Sequence, residues 1–172
     1  MDGQPPLEEL QKVYEGLDEN DKRLVQSSLF LGIEMDPLKD DPKQGDFLIR
    51  NIMGVDREAG GIQIGAMLRE GQLVQFHLRD KVMSAEDLEL MLSRYKDQEI
   101  SRNACGALLF SCLGRGQYLY GKPNHDSDMF RDQLGDIPLG GFFCNGEIGP
   151  VGNSTFLHGY TSSFGIFRPL QD

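Results

Sequence analysis

The chain has 172 residues, of which 39% are hydrophobic and 26% charged, and it carries a formal net charge of −10. That length fits one ordinary domain and needs no disulfide or metal staple to fold. The acidic balance is the opposite of the basic footprint that nonspecific nucleic-acid binding requires, and an anionic membrane surface would repel it.

The first predicted element is a helix. Leu7, Leu10, Val13, Tyr14 and Leu17 recur at helical spacing, with Pro5-Pro6 at its start. Gly16-Leu17-Asp18 breaks it, and Asp18 caps a second short helix running to about Gln26. Ser28–Met35 reads as a strand. A polar loop with Asp36, Asp40, Asp41 and Asp46 follows; it lacks the ordered spacing of a calcium loop. Three strand-like runs come next, at about Phe47–Val55, Gly61–Met67 and Gln72–Arg79, and their turn-rich connectors predict an antiparallel meander. In the third run Val74, Phe76 and Leu78 alternate with Gln75, His77 and Arg79, which puts His77 on a solvated face.

Ser84 with Asp87 suggests the start of a helix whose apolar stripe is Leu88, Met91, Leu92 and Tyr95. Ala104–Leu113 is nearly continuous in apolar residues, as a central strand is. Gly114–Asn124 reads as a loop, then a helix at about Asp126–Leu134 closed by Gly135. Leu139–Cys144 reads as a second buried strand, Asn145–Asn153 as a second Gly-rich loop, and Ser154–Gly159 with Ser163–Arg168 as a closing hairpin. The order predicts an α+β (mixed α/β) class: a single domain with one mixed, largely antiparallel sheet, helices on one face, and residues 1–17 as a leading helix. The two strand–helix–strand links are candidate parallel crossovers.

The longest apolar runs fall far short of the ~20 residues of a membrane helix, so no membrane insertion is expected. Met1–Pro6 has neither the basic nor the apolar region of a signal peptide. Three cysteines, an odd number, point to reduced thiols in a cytoplasmic or other reducing compartment.

Two loops follow predicted buried strands, where open sheets present ligand crevices. Side by side, they bring together Cys112, Gly114, Arg115 and Gly116 with Cys144, Asn145, Gly146 and Glu147. Arg is a forked donor for carboxylates, Asn is both donor and acceptor, and Glu takes an ammonium or N–H groups. That set suits a zwitterion such as an amino acid. The alternative is two tight turns held by an Arg115–Glu147 ion pair. Gly146, Gly149 and Gly152 open no helix, so they are not a dinucleotide fingerprint. Cys112 or Cys144 with His158 as base would make a thiol hydrolase; buried cysteines as small apolar fillers are the competing reading. His125-Asp126-Ser127-Asp128 resembles a metal cluster but sits where acidic residues cap a helix. No cofactor is expected.

The blocks Ala107–Gly116, Gly140–Pro150 and Phe156–Thr161, together with Gly45–Asn51 and Val74–Asp80, resemble the C-terminal half of FIST domains. The resemblance runs over about residues 7–168. It implies a non-enzymatic intracellular sensory domain proposed to bind a small polar ligand, alone or joined to signalling modules. A similar domain forms the C-terminal part of an F-box ubiquitin-ligase adaptor, so a protein-interaction role is the second expectation. On the matching motifs it supports Cys112, Gly114, Arg115, Gly116, Cys144, Asn145, Gly146, Glu147 and His158 as ligand-site candidates. Family members usually carry an N-terminal FIST half as well. No such half is present in this sequence, which implies either a separately made fragment or an incomplete pocket that needs a partner, that half or another protein; a pocket shared between halves would leave an exposed apolar face on this chain.

Overall fold

A computed structural model describes residues 1–99, 103–151 and 154–170. They form two compact units, Met1–Asp80 and Lys81–Asp172. Helix is 32% and strand 33%, and the pairings are mostly antiparallel: the α+β class expected. The strands form three sheets among the described residues, where one was expected.

The first unit opens with α1 (Pro6–Gly16) and α2 (Glu19–Ser28). Asp18 caps α2 as expected, its carboxylate accepting from the amides of Asn20 at 2.9 Å and Asp21 at 2.8 Å. The strands β1 (Leu29–Glu34), β2 (Phe47–Asp56), β3 (Gly61–Ile64) and β4 (Val74–Leu78) form a sheet in the order β3-β2-β1-β4, antiparallel throughout. This corrects the meander, because β4 pairs with β1 instead of β3. The reason lies in β1, where Phe30, Leu31, Gly32 and Ile33 are all buried, so the backbone N–H and C=O groups along both edges need partners and β4 supplies the second row. His77 is a second correction. It is half-buried rather than solvated, its ring 5.0 Å from that of Phe47, and burial lowers its pKa. A Cβ at Gly32 would come within 2.5 Å of the His77 ring, so Gly32 makes that packing possible.

The second unit contains α3 (Lys81–Lys96), β5 (Gly106–Cys112), α4 (Gln117–Tyr120), α5 (His125–Leu134), β6 (Leu139–Cys144), β7 (Glu147–Val151), β8 (Ser154–His158) and β9 (Ser162–Phe167). The helix α3 begins three residues before the predicted Ser84 start, and α4 replaces part of a predicted loop. Gly135 ends α5 as expected, its amide donating to the Arg131 carbonyl at 2.8 Å. The three-stranded sheet has the order β6-β5-β9, so the apolar β5 is indeed central. The β5–α5–β6 link is a parallel crossover, as predicted.

The last strands differ from expectation. Residues 147–151 form β7 and not a loop, and β7 makes the hairpin with β8, while β9 pairs antiparallel with β5. The expected β8–β9 hairpin is therefore replaced by a crossing at Gly159–Thr161, where Tyr160 takes a positive φ of 62°. A central strand such as β5 requires two neighbours, and β9 supplies the second. Gly152 and Asn153 lie outside the described residues. The core of this unit is Leu88 and Leu92 of α3, Ala107 of β5 and Phe130 of α5. Phe130 is 1% exposed and stacks on Phe164 of β9 at 5.4 Å between ring centroids.

Candidate functional site

The parallel register of β5 and β6 ends with Cys112 opposite Cys144, so the two predicted loops leave the same edge of one sheet. That much of the expected convergence is present. The expected partners are not. The Arg115 guanidinium is turned inward, 7% exposed, and grips Asp126 from two nitrogens: Nε to Oδ2 at 2.8 Å and Nη2 to Oδ1 at 3.1 Å. Nη2 also donates to the Tyr120 hydroxyl at 2.5 Å and Nη1 to the Tyr160 carbonyl at 3.3 Å. Burial by itself would lower the Arg115 pKa; the Asp126 carboxylate outweighs it and raises the pKa.

Asp126 is the hub that the sequence reading did not identify. It lies in the first turn of α5, but Asn124 holds the cap position, with a positive φ of 60° and no side-chain cap. The Asp126 carboxylate is thus released from capping. Besides Arg115 it accepts from Ser111 at 3.1 Å and Ser162 at 2.5 Å, and His125 Nδ1 lies 3.1 Å from Oδ1. Burial opposes its ionised form, yet Arg115 and the other donors bring its pKa from 3.8 to about 2. The His125 ring stacks on Tyr120 at 3.4 Å between centroids. A serine inside the apolar run at Ser111 was the one sequence signal of a buried polar partner.

Glu147 is buried at the start of β7 and does not meet Arg115. Its Oε2 accepts from Thr161 Oγ1 at 2.5 Å and its Oε1 from Cys144 Sγ at 3.3 Å. Burial, then Glu147, raises the Cys144 pKa, so this sulfur is held as a thiol. His158 is paired with Glu147 in register, but its Nε2 lies 3.1 Å from the Gly149 carbonyl. Asn145 is exposed. Gly146 is packed tightly, since a Cβ there would come within 3.1 Å of the His158 carbonyl. Gly114 occupies the turn after β5, and Gly116 takes φ 63° under the Phe143 ring. What joins the two loops is the crossing before β9: Tyr160 accepts from Arg115, Thr161 donates to Glu147, and the Thr161 carbonyl accepts from the Cys112 amide at 3.0 Å.

A cavity of about 240 Å³ opens beside this cluster. Its lining combines polar residues, Ser111, His125, Asp126 and Ser127, with apolar ones, Leu109, Leu139, Phe142 and Phe143. Of the predicted ligand residues only Gly116 lines it. Arg115 and Glu147 brace the surrounding loops. The expected buried character of Leu139–Cys144 is also corrected. This strand lies at the sheet edge, with Phe142 63% and Phe143 56% exposed. On the β7–β8 hairpin the register pair Ile148 and Leu157 is exposed as well. No helix among the described residues is long and apolar enough to cross a membrane.

Residues 6–150 match the FIST C domain. The chain belongs to the FIST C domain family. That family is associated with sensory domains of signal transduction. An uncharacterized protein of Mycobacterium tuberculosis is 41% identical over 167 residues, covering 97% of this chain and 43% of its own length. An F-box/LRR-repeat protein of Arabidopsis thaliana is 27% identical over 183 residues, covering 95% of this chain and 34% of its own. The F-box only protein 22 of Homo sapiens is 38% identical over 73 residues, 42% of this chain and 18% of its own. This FIST C chain therefore spans less than half the length of the mycobacterial relative.

Proposed function

We propose that the chain is a non-enzymatic binding domain of a sensory or signalling system, working in a reducing compartment, whose ligand is a small polar metabolite of the amino-acid type. The observation that carries this reading is the cavity between β6 and the start of α5, whose lining is part polar and part apolar. Its volume, about 240 Å³, lies below the ~300–1,000 Å³ of pockets for drug-sized ligands, which restricts the guest to a small molecule. Arg115 and Asp126 neutralise each other, so neither is the primary ligand contact. The first turn of α5, which no side chain caps at Asn124, is the place for a carboxylate. Phe142 and Phe143 suit the guest's apolar part.

A thermal-shift screen of the whole chain against amino acids tests this. One site at a hundredfold excess over Kd stabilises by about 2.7 kcal/mol. Ser127→Asp places an anion at the cavity wall and is expected to abolish that stabilisation without unfolding the helix. If no amino acid shifts the wild-type midpoint, the reading fails.

A second reading, a protein-interaction or adaptor domain, is favoured by the F-box relatives and by the exposed Ile148–Leu157 pair. In-cell crosslinking of wild type against Ile148→Lys tests it. A partner captured equally by both forms counts against that surface.

A further inference from the structure

The edge strand β6 carries an unusual combination of features. Its register with β5 runs unbroken from Leu139 to Cys144, with no bulge. The segment Ile137–Gly146 contains no Asp, Glu, Lys or Arg. Sheet edges are ordinarily protected by charge, proline or bulges, or are covered. Pro138 stands just before this strand and none of these devices lies within it. The amides of Ala107 and Leu113 donate to the carbonyls of Pro138 and Cys144 at 2.8 and 2.9 Å. By the alternation of a parallel ladder, Gly140 and Phe142 then face β5, while Leu139, Gly141 and Phe143 direct their N–H and C=O groups to the open edge.

We propose that this edge pairs antiparallel with the same edge of a second copy of the chain, about a two-fold axis at Gly141, joining two three-stranded sheets into one. In that register Gly141 faces Gly141 of the second copy and Leu139 faces Phe143. Gly140 faces Phe142, so that an aromatic ring covers the space over a glycine. The strand is thus complementary to itself in size and contains no like charges to oppose. A two-fold axis is also the commonest symmetry of soluble assemblies. Two copies that each carry a net charge of −10 repel, while Ile137–Gly146 itself is uncharged, so salt screening strengthens the pairing. The proposal does not rest on the ligand reading, but it shares residues with it, since Leu139, Phe142 and Phe143 also line the cavity; the sedimentation and exchange measurements are therefore made without added ligand.

Sedimentation velocity of the full chain over a concentration series, at low and high salt, is the test, with amide hydrogen exchange measured in parallel. The expected result is a dimer that grows with concentration and with salt, and in which residues 139–143 exchange more slowly than in the monomer. Phe142→Lys is expected to weaken it by about tenfold or more, since each copy then places a charge against the joined edge. A chain that stays monomeric throughout overturns the proposal. So does a dimer whose β6 amides exchange at the monomer rate, or a folded Phe142→Lys variant that dimerises as tightly as wild type. If circular dichroism shows that variant unfolded, the wild-type exchange data decide alone.

Discussion

Arg115 holds Asp126 through two parallel hydrogen bonds, and both side chains are buried, at 7% and 5% exposed. The pair ties the turn after β5 to the first turn of α5. Through Tyr160 and Ser162 it also fixes the crossing into β9. Three segments distant in sequence are therefore held at one edge of the sheet, beside the cavity. Tyr160 is a bulky residue at positive φ, a backbone state that persists only where surrounding contacts impose it.

Breaking this pair from either side leaves a buried charge unpaired. Arg115→Ala and Asp126→Ala are each expected to lower unfolding free energy by about 3–5 kcal/mol. The double variant is expected to be less destabilised than the sum of the singles, because each loss already includes the orphaned partner. A double-mutant cycle by urea denaturation measures this. Strict additivity would mean that the two side chains act independently.

The same pair sets a pH dependence. The folded Asp126 pKa, about 2, is below its ordinary value of 3.8, so the unfolded state binds more protons in the interval between them. Stability from this group is fully present above pH ~4 and is lost as pH falls through ~2, about 2–3 kcal/mol in all. Asp126→Asn is expected to flatten that part of the stability curve while lowering stability at neutral pH. An unchanged acid slope in a folded Asp126→Asn variant would assign the acid sensitivity to other carboxylates.

The class of the fold was legible because helical periodicity and apolar strand runs are local signals. The run at Ala104–Leu113 even marks the central strand of the three-stranded sheet, and the run at Leu29–Ile33 falls on one of the two inner strands of the four-stranded one. Which strands flank them was not legible. The pairing of β4 with β1, and of β9 with β5, is decided by long-range closure, which no local pattern in Val74–Leu78 or Ser162–Phe167 encodes. The two site loops were found by their residue types, but their charges were matched to the wrong partners. Asp126 looked like a helix cap because its position fits one. Only the fold reveals that Asn124 occupies the cap site and frees the carboxylate for an arginine eleven residues earlier. The exposure of Phe142 and Phe143 was likewise invisible, since an apolar edge strand reads like a buried one.

Two adjacent glycines of β6 should respond very differently to substitution. A Cβ at Gly141 would lie 1.9 Å from the Leu109 carbonyl oxygen and 2.8 Å from its carbon, which are backbone atoms of the neighbouring strand. Gly141→Ala is therefore expected to destabilise by about 3 kcal/mol or more, because β5 and β6 must separate to admit it. At Gly140 the nearest atom is the tip of Leu108, 3.8 Å away, an ordinary contact. Gly140→Ala is expected to change stability by less than about 1 kcal/mol. Equal midpoints for the two variants in thermal unfolding would show that β6 is not held in this register.

The three thiols should separate by reactivity. Cys105 is exposed, Cys112 is buried, and Cys144 has its pKa raised by burial and by Glu147. Since the thiolate is the reacting species, limited alkylation near neutral pH is expected to label Cys105 first, then Cys144, and Cys112 only on unfolding. Glu147→Gln removes the anion beside Cys144 and is expected to lower that pKa, so that labelling of Cys144 speeds up and its pH profile moves to lower pH. The shift in the profile separates an electrostatic effect from simple loosening, which would raise the rate at every pH and expose Cys112 too. If Cys144 is the fastest-reacting thiol of the wild-type protein, the carboxylate does not suppress it, and a nucleophilic role for that sulfur returns to consideration.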